Sequence, residues 1–196
     1  MTVPTFEEIE RLHRKYAPSV EAFDLVFTHC RAVNEIAQQL LSSCSLRINQ
    51  ELVEAGCLLH DIGVYELSAE ELSGPSYTKH GVLGEGLLRA ERLPDELCRI
   101  ASHHTGVGLT RDDVVRQKLP LPLQDYLAET DEELLVMYAD KFHSKSTPPR
   151  FNRPESYSTF VSRYGDDKVV RFKQMQVKFG KPDLDSIARK YDQPLL

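Results

Sequence analysis

The stretch Val53-Glu54-Ala55-Gly56-Cys57-Leu58-Leu59-His60-Asp61-Ile62-Gly63 decides how this chain is read. Leu52, Val53, Gly56, Cys57 and Leu59 recur at helical spacing, so a helix with one buried face is predicted from about Asn49 to Asp61. Gly63 supplies a C-terminal break. The end of this apolar helix carries two side chains that are costly to bury, His60 and Asp61. Adjacent ligands there can turn to one point, because the last helical turn unwinds. With 7 His and 13 Asp in 196 residues, about 0.5 such pairs arise by chance. The dipeptide therefore draws its meaning from its surroundings.

Helical periodicity continues on both sides. A first helix is predicted over Phe6 to Tyr16 and a long one from Val20 to Ser43, with Val26, Val33, Ile36, Ala37 and Leu40 on one face. Ser68 to Glu71 and Thr130 to Glu133 read as capping boxes, the second opening a helix to about Ser144. Further helices are expected over Thr78 to Arg92 and from Pro94 to His104. Thr105 to Gly108 is a glycine-rich turn, and Thr147-Pro148-Pro149 is a hard stop. No stretch alternates like a strand. The expected fold class is all-α: a helical bundle with its N-terminal helix over residues 1–149, and a helical C-terminal extension over 150–196 packed on that core.

Composition sets bounds on this reading. The chain is 41% hydrophobic and 28% charged, the balance of one globular domain. Its net charge of -6 argues against general affinity for nucleic acid or anionic membrane. No apolar run approaches the roughly 18 residues of a membrane span, and the start lacks the basic-then-apolar order of a secretory signal. Cys30, Cys44, Cys57 and Cys98 form no disulfide or zinc spacing, so a reducing, cytoplasmic setting is expected.

The histidines carry the chemistry. His29, His60, His80 and His104 each fall on the apolar face of a different predicted helix, and Asp140 falls on a fifth. Several imidazoles and carboxylates in one small core are costly without compensation. A divalent metal supplies it, since carboxylate and neutral imidazole are its ligands. His13, in the charged stretch Arg11 to Lys15, is expected at the surface, and His143, three residues after Asp140, at a helix end or else near the site.

His29, His60-Asp61 and Asp140 have the order of the HD-domain metal-dependent phosphohydrolase superfamily, and the local words are similar too: His29 to Val33, Leu58 to Gly63, and Tyr138 to Lys141. Lys79-His80-Gly81 and His103-His104-Thr105-Gly106 resemble the additional words of branches that bind two metals. Those branches include symmetrical diadenosine tetraphosphate hydrolases and HD-GYP cyclic-di-GMP phosphodiesterases. The Tyr-Pro word of the HD-GYP enzymes is replaced by Thr105 to Gly108, which argues against cyclic-di-GMP. The spacing of Asp125-Tyr126, Glu129-Thr130 and Ala139-Asp140 resembles compact HD proteins.

The resemblance implies an HD-domain helical bundle. It implies a first metal on His29, His60, Asp61 and Asp140, and a second on Asp61, His80 and His104, with His103 as a further candidate. His60 and Asp61 would be the catalytic pair, and a hydroxide bridging the metals would attack phosphorus. Iron or manganese is favoured (Fe, Mn), while Zn, Ni and Co also suit His and carboxylate donors. Arg31, Lys79 and Lys141 are the candidate substrate-binding cations. The substrate class is a nucleotide or another small phosphorylated molecule, and a homo-oligomer is left open. Two other readings use the same residues: a di-iron oxygenase on the HD scaffold, and a non-catalytic module sensing nucleotide or metal. The Lys that often follows the His-Asp word in the oxygenases is absent, Val64 to Glu66 standing there instead.

Overall fold

The structure, a computed structural model, describes residues 2–196. Helices α1 (Phe6–Tyr16), α2 (Val20–Ser42) and α3 (Gln50–Leu59) lead into 3-10 turns at Ile62–Glu66, Ala69–Glu71 and Pro75–Thr78. Then come α4 (Lys79–Ala90), α5 (Asp95–His103), α6 (Arg111–Arg116) and α7 (Asp131–Asp140). A two-stranded antiparallel ladder follows, β1 (His143–Ser144) with β2 (Arg150–Phe151), and then α8 (Pro154–Val161), α9 (Asp166–Phe179) and α10 (Leu184–Tyr191). The architecture is all-α with one minimal ladder.

Local chemistry explains the helix starts. Thr5 and Glu8 close a reciprocal capping box on α1, and Ser19 and Asn49 cap α2 and α3 through their side-chain oxygens. The expected box at Thr130 is only half formed. Thr130 Oγ1 accepts from the Glu133 N–H, but the Glu133 carboxylate turns to the Glu129 N–H at 2.7 Å and to Arg99 at 2.8 Å. A charged partner outcompetes a backbone donor. The Ser68–Glu71 box does close, yet it starts only a 3-10 turn before Gly74-Pro75.

The helix expected to reach Ser144 ends at Asp140. The Phe142 carbonyl accepts from the Asn152 N–H at 2.9 Å, and His143 pairs with Phe151. Long-range pairing thus takes the backbone that another helical turn would have used.

Helices α2, α3, α5 and α7 pack on one another around α3, where Cys57, Leu58 and Leu59 are buried against the same core as Ile36, Ile100 and Val136. The turn after Asp61 packs directly on α4. Gly63 permits this, because a Cβ there would lie 2.1 Å from the His80 carbonyl oxygen and 2.2 Å from the Gly84 nitrogen.

The extension joins the same core. Phe172, Met175 and Phe179 of α9 are buried, and Phe172 and Phe179 pack against the Tyr138 ring of α7. Full burial of each such side chain contributes about 1.5–3 kcal/mol. α10 lies on α2, and the chain end returns to β2: Phe151 N–H donates to the Pro194 carbonyl at 2.8 Å, and Leu196 N–H to the Phe151 carbonyl at 3.0 Å. That path brings Gln193 beside His143.

Candidate metal centre

Five helix segments deliver six donors to one buried point. His29 projects from the middle of α2. His60 caps α3 at its C-terminus and Asp61 follows it. His80 lies in the first turn of α4, His104 caps α5, and Asp140 closes α7. One ligand atom from each of His29, His60, Asp61 and Asp140 lies within 4.8 Å of the others, and the same holds for Asp61, His80 and His104.

Asp61 belongs to both groups, through different oxygens. Its Oδ2 is 3.1 Å from His29 Nε2 and 3.3 Å from His60 Nε2. Its Oδ1 is 3.3 Å from His80 Nε2 and 3.5 Å from His104 Nε2. Asp140 Oδ1 completes the first group, 3.1 Å from His29 Nε2 and 3.4 Å from His60 Nε2. A donor set of imidazole nitrogen and carboxylate oxygen, without thiolate, fits divalent first-row metals.

The ring orientations follow from helix ends. His60 Nδ1 meets the Cys57 carbonyl at 2.7 Å, His80 Nδ1 the Tyr77 carbonyl at 2.5 Å and His104 Nδ1 the Ala101 carbonyl at 2.8 Å. The carbonyls of a last helical turn lack intrahelical partners, so His60 and His104 can donate Nδ1–H to the ends of α3 and α5, and His80 to the end of the 3-10 turn before α4, each keeping Nε2 for a ligand.

Burial and charge set the protonation. Burial lowers His80 to about 3 and also lowers His104, against the pull of Asp61. Both rings are therefore neutral, the form that ligates. Burial also opposes charge on His60, but Asp61 holds it well above the ordinary imidazole value. Burial likewise opposes ionisation of Asp61 and Asp140. Lys145 and His60 nevertheless hold Asp61 well below the usual carboxylate range, and Lys141 and His29 do so for Asp140. Without metal, the paired carboxylates are balanced by protons and lysines within the protein.

Several expected residues lie elsewhere. His103 is buried but turned away, bonded to Ser102 Oγ at 2.7 Å and facing the Tyr126 ring. Arg31 is exposed, and its charge is felt at Tyr191 on α10. Two residues beyond His29 on a helix, it is rotated by about 200° from the ligand face. Lys79 pairs with Glu71, away from the cluster. Lys141 is buried at the site, with Nζ 2.6 Å from Asp140 Oδ2 and 3.0 Å from the His104 carbonyl, so it braces two candidate ligands.

Three further residues come to the site or its support. Lys145 reaches Asp61 Oδ2 from the segment after β1. Of the two readings for His143, the one near the site holds: it is buried with Nδ1 2.8 Å from His29 Nδ1. His13 is not at the surface. It is fully buried, bonded to the Leu58 carbonyl at 2.7 Å and to the Tyr65 hydroxyl at 2.9 Å, directly behind His60. Its helical spacing, four residues after buried Ile9, was the available signal.

The HD-domain family model matches residues 26–145, and the chain belongs to the HD-domain family. Its curated relatives include two proteins called tRNA (cytidine(56)-2'-O)-methyltransferase. The one from Picrophilus torridus is 30% identical over 87% of this chain and 47% of its own length. The one from Thermoplasma volcanium is 35% identical over 61% of this chain and 32% of its own. An uncharacterized protein of Methanocaldococcus jannaschii is 37% identical over 59% of this chain and 64% of its own. The chain thus matches about half the length of these relatives, or less, in two of the three cases. Among solved structures, the HD domain of the Listeria monocytogenes phosphodiesterase PgpH in complex with cyclic-di-AMP superposes with a TM-score of 0.56. It has 14% identity and covers 94% of this chain and 97% of that one. This likeness is one of fold. No helix among the described residues is long and apolar enough to cross a membrane.

Proposed function

We propose that this protein is a metal-dependent phosphohydrolase that cleaves a phosphoester or phosphoanhydride of a nucleotide or another small phosphorylated substrate. The observation that carries the reading is the convergence of two donor groups on one shared carboxylate, Asp61. His29, His60, Asp61 and Asp140 would hold one divalent ion, and Asp61, His80 and His104 a second, with iron or manganese favoured by the donors. Such a pair of ions supplies an acidified water at neutral pH and neutralises phosphoryl oxygens.

The remaining work falls to the chain's own residues. Asp61 spans the two groups with separate oxygens, so both depend on one side chain. Lys141 fixes the Asp140 carboxylate from behind. Lys145 is the cation best placed for a substrate phosphate: it touches Asp61, sits near the Tyr77 ring and keeps its side chain 15% exposed. It takes the role expected of Arg31, which faces away. The HD domain of PgpH binds cyclic-di-AMP, which supports a nucleotide as substrate class. The methyltransferase name of two of the relatives describes proteins of which more than half lies outside the match, and a net charge of -6 argues against general affinity for RNA.

The test is turnover by metal-loaded protein on a panel of cyclic dinucleotides, dinucleoside polyphosphates, nucleoside phosphates and tRNA. Hydrolysis of a small nucleotide that falls at least about 100-fold in Asp61→Ala and His60→Ala is expected. Full activity in those variants contradicts the reading. Oxygen consumption by a reduced iron form without phosphate release would favour the oxygenase instead, and ligand-raised melting without turnover a sensing module.

A further inference from the structure

Three of the four candidate imidazole ligands find a carbonyl at the close of the helix or 3-10 turn just before them, and one does not. His60, His80 and His104 each find a carbonyl three residues earlier for Nδ1. His29 is the tenth residue of the 23-residue α2, where the carbonyls of the preceding turn are committed to the helix. Its Nδ1 needs a partner from elsewhere in the fold, and that partner is His143 Nδ1 at 2.8 Å. On its far side, His143 Nε2 lies 2.7 Å from Gln193 Oε1.

The protons in this chain of contacts can be assigned. The Gln193 amide oxygen only accepts, so His143 Nε2 carries the hydrogen. Neutral His143 then presents a lone pair at Nδ1. His29 then donates Nδ1–H to it, which commits Nε2 to the side of Asp61 and Asp140, 3.1 Å from an oxygen of each; there Nε2 gives a hydrogen to a carboxylate or, once that hydrogen has left, its lone pair to a metal. Gln193 itself is held by the chain end: its N–H donates to the Ala188 carbonyl at 3.0 Å, and the next residues pair with Phe151. Phe151 also packs its ring on His143, with centroids 4.7 Å apart.

We propose that His143 and Gln193 are positioning residues that lock His29 in the tautomer able to ligate through Nε2, which makes the C-terminal extension a working part of the metal centre. The proposal rests on the metal-binding reading above for its purpose, but the hydrogen at His29 Nδ1 is a property of the metal-free protein. A carboxamide more than 160 residues along the chain thereby sets the donor atom of the first ligand. Loss of such outer hydrogen-bond partners typically weakens metal affinity by about 10- to 100-fold.

The experiment has two readouts on the full chain. Nitrogen-15 NMR of the histidine rings in metal-free protein reports the tautomer of His29, and titration with Mn2+ alone reports affinity. The expected result is a His29 held as Nδ1–H in the wild type. In Gln193→Ala it becomes a tautomer mixture with Mn2+ affinity reduced about 10- to 100-fold, while melting of the metal-free protein changes little. His143→Leu gives the same test from the other link if Gln193→Ala does not fold. An unchanged His29 tautomer in these variants overturns the proposal, whether or not melting falls, because that pattern describes a merely structural contact. If wild-type protein binds no Mn2+ but its tautomer responds as stated, the hydrogen-bond chain stands and the metal-binding reading fails.

Discussion

At the scale of single residues, His13 shows how the layer behind the candidate ligands is built. It is held neutral by burial, which lowers it to about 4 from an ordinary 6.5 against the pull of the Leu58 carbonyl. The unfolded chain therefore binds this proton more readily than the folded one. The stability that goes with neutral His13 is fully present above about pH 6.5 and is lost as pH falls from there toward 4, by up to about 3 kcal/mol. Denaturant unfolding at a series of pH values checks this: His13→Gln should lower stability at pH 7 and show a shallower decline below pH 6.5 than the wild type. Parallel curves would mean that His13 is not buried in neutral form.

At the scale of elements, the close approach of α4 to the turn after Asp61 is what brings His80 to the second donor group. The contact is backbone on backbone at Gly63, with no flexible side chain to yield. Gly63→Ala should cost about 3 kcal/mol, measured as a shift in denaturant midpoint, and should weaken metal binding as α4 is pushed outward. Gly86, exposed on the same helix with nothing within 4 Å of an added Cβ, is the control. Gly86→Ala should stabilise by roughly 0.5–1 kcal/mol through backbone entropy and helix propensity.

Elements also mark what could be read from sequence. The helices bearing His29, His60, His80, His104 and Asp140 have regular apolar faces, so periodicity alone aims those side chains inward. Arg31 was misplaced because nearness in sequence is not nearness on a helix face. Lys145 and His143 come to the site only because α7 stops at Asp140 and the chain turns into β1. That stop depends on pairing with residues 150–152, which no local pattern announces. The half-formed cap at Thr130 has the same origin, a long-range pairing of Glu133 with Arg99.

At the scale of the whole molecule, the extension closes the bundle rather than trailing from it. α9 fills the outer face of α7 with Phe172 and Phe179, and its buried Lys168 pairs with Asp113 at the start of α6. Burial opposes charge on Asp113, but Lys168, Thr110 and Arg116 hold its carboxyl well below the usual range. With the folded value depressed, this contribution is present above about pH 4 and is lost as pH falls below it. Lys168→Met should therefore destabilise the protein by about 3 kcal/mol at pH 7, and the gap to wild type should narrow below pH 4. Equal stability at pH 7 would show that the pair does no more than break even with an apolar contact.

The same closure puts Gln193 behind His143 and His143 behind His29, so core packing and the site are coupled through the last residues of the chain. The central claim is that the six convergent donors form one metal centre. The most direct measurement is anomalous diffraction from crystals of the full chain grown with Mn2+. The account predicts two manganese peaks that share Asp61, one within ligand distance of His29, His60 and Asp140, the other of His80 and His104. The absence of any peak at this cluster, with manganese bound elsewhere or not at all, would contradict it.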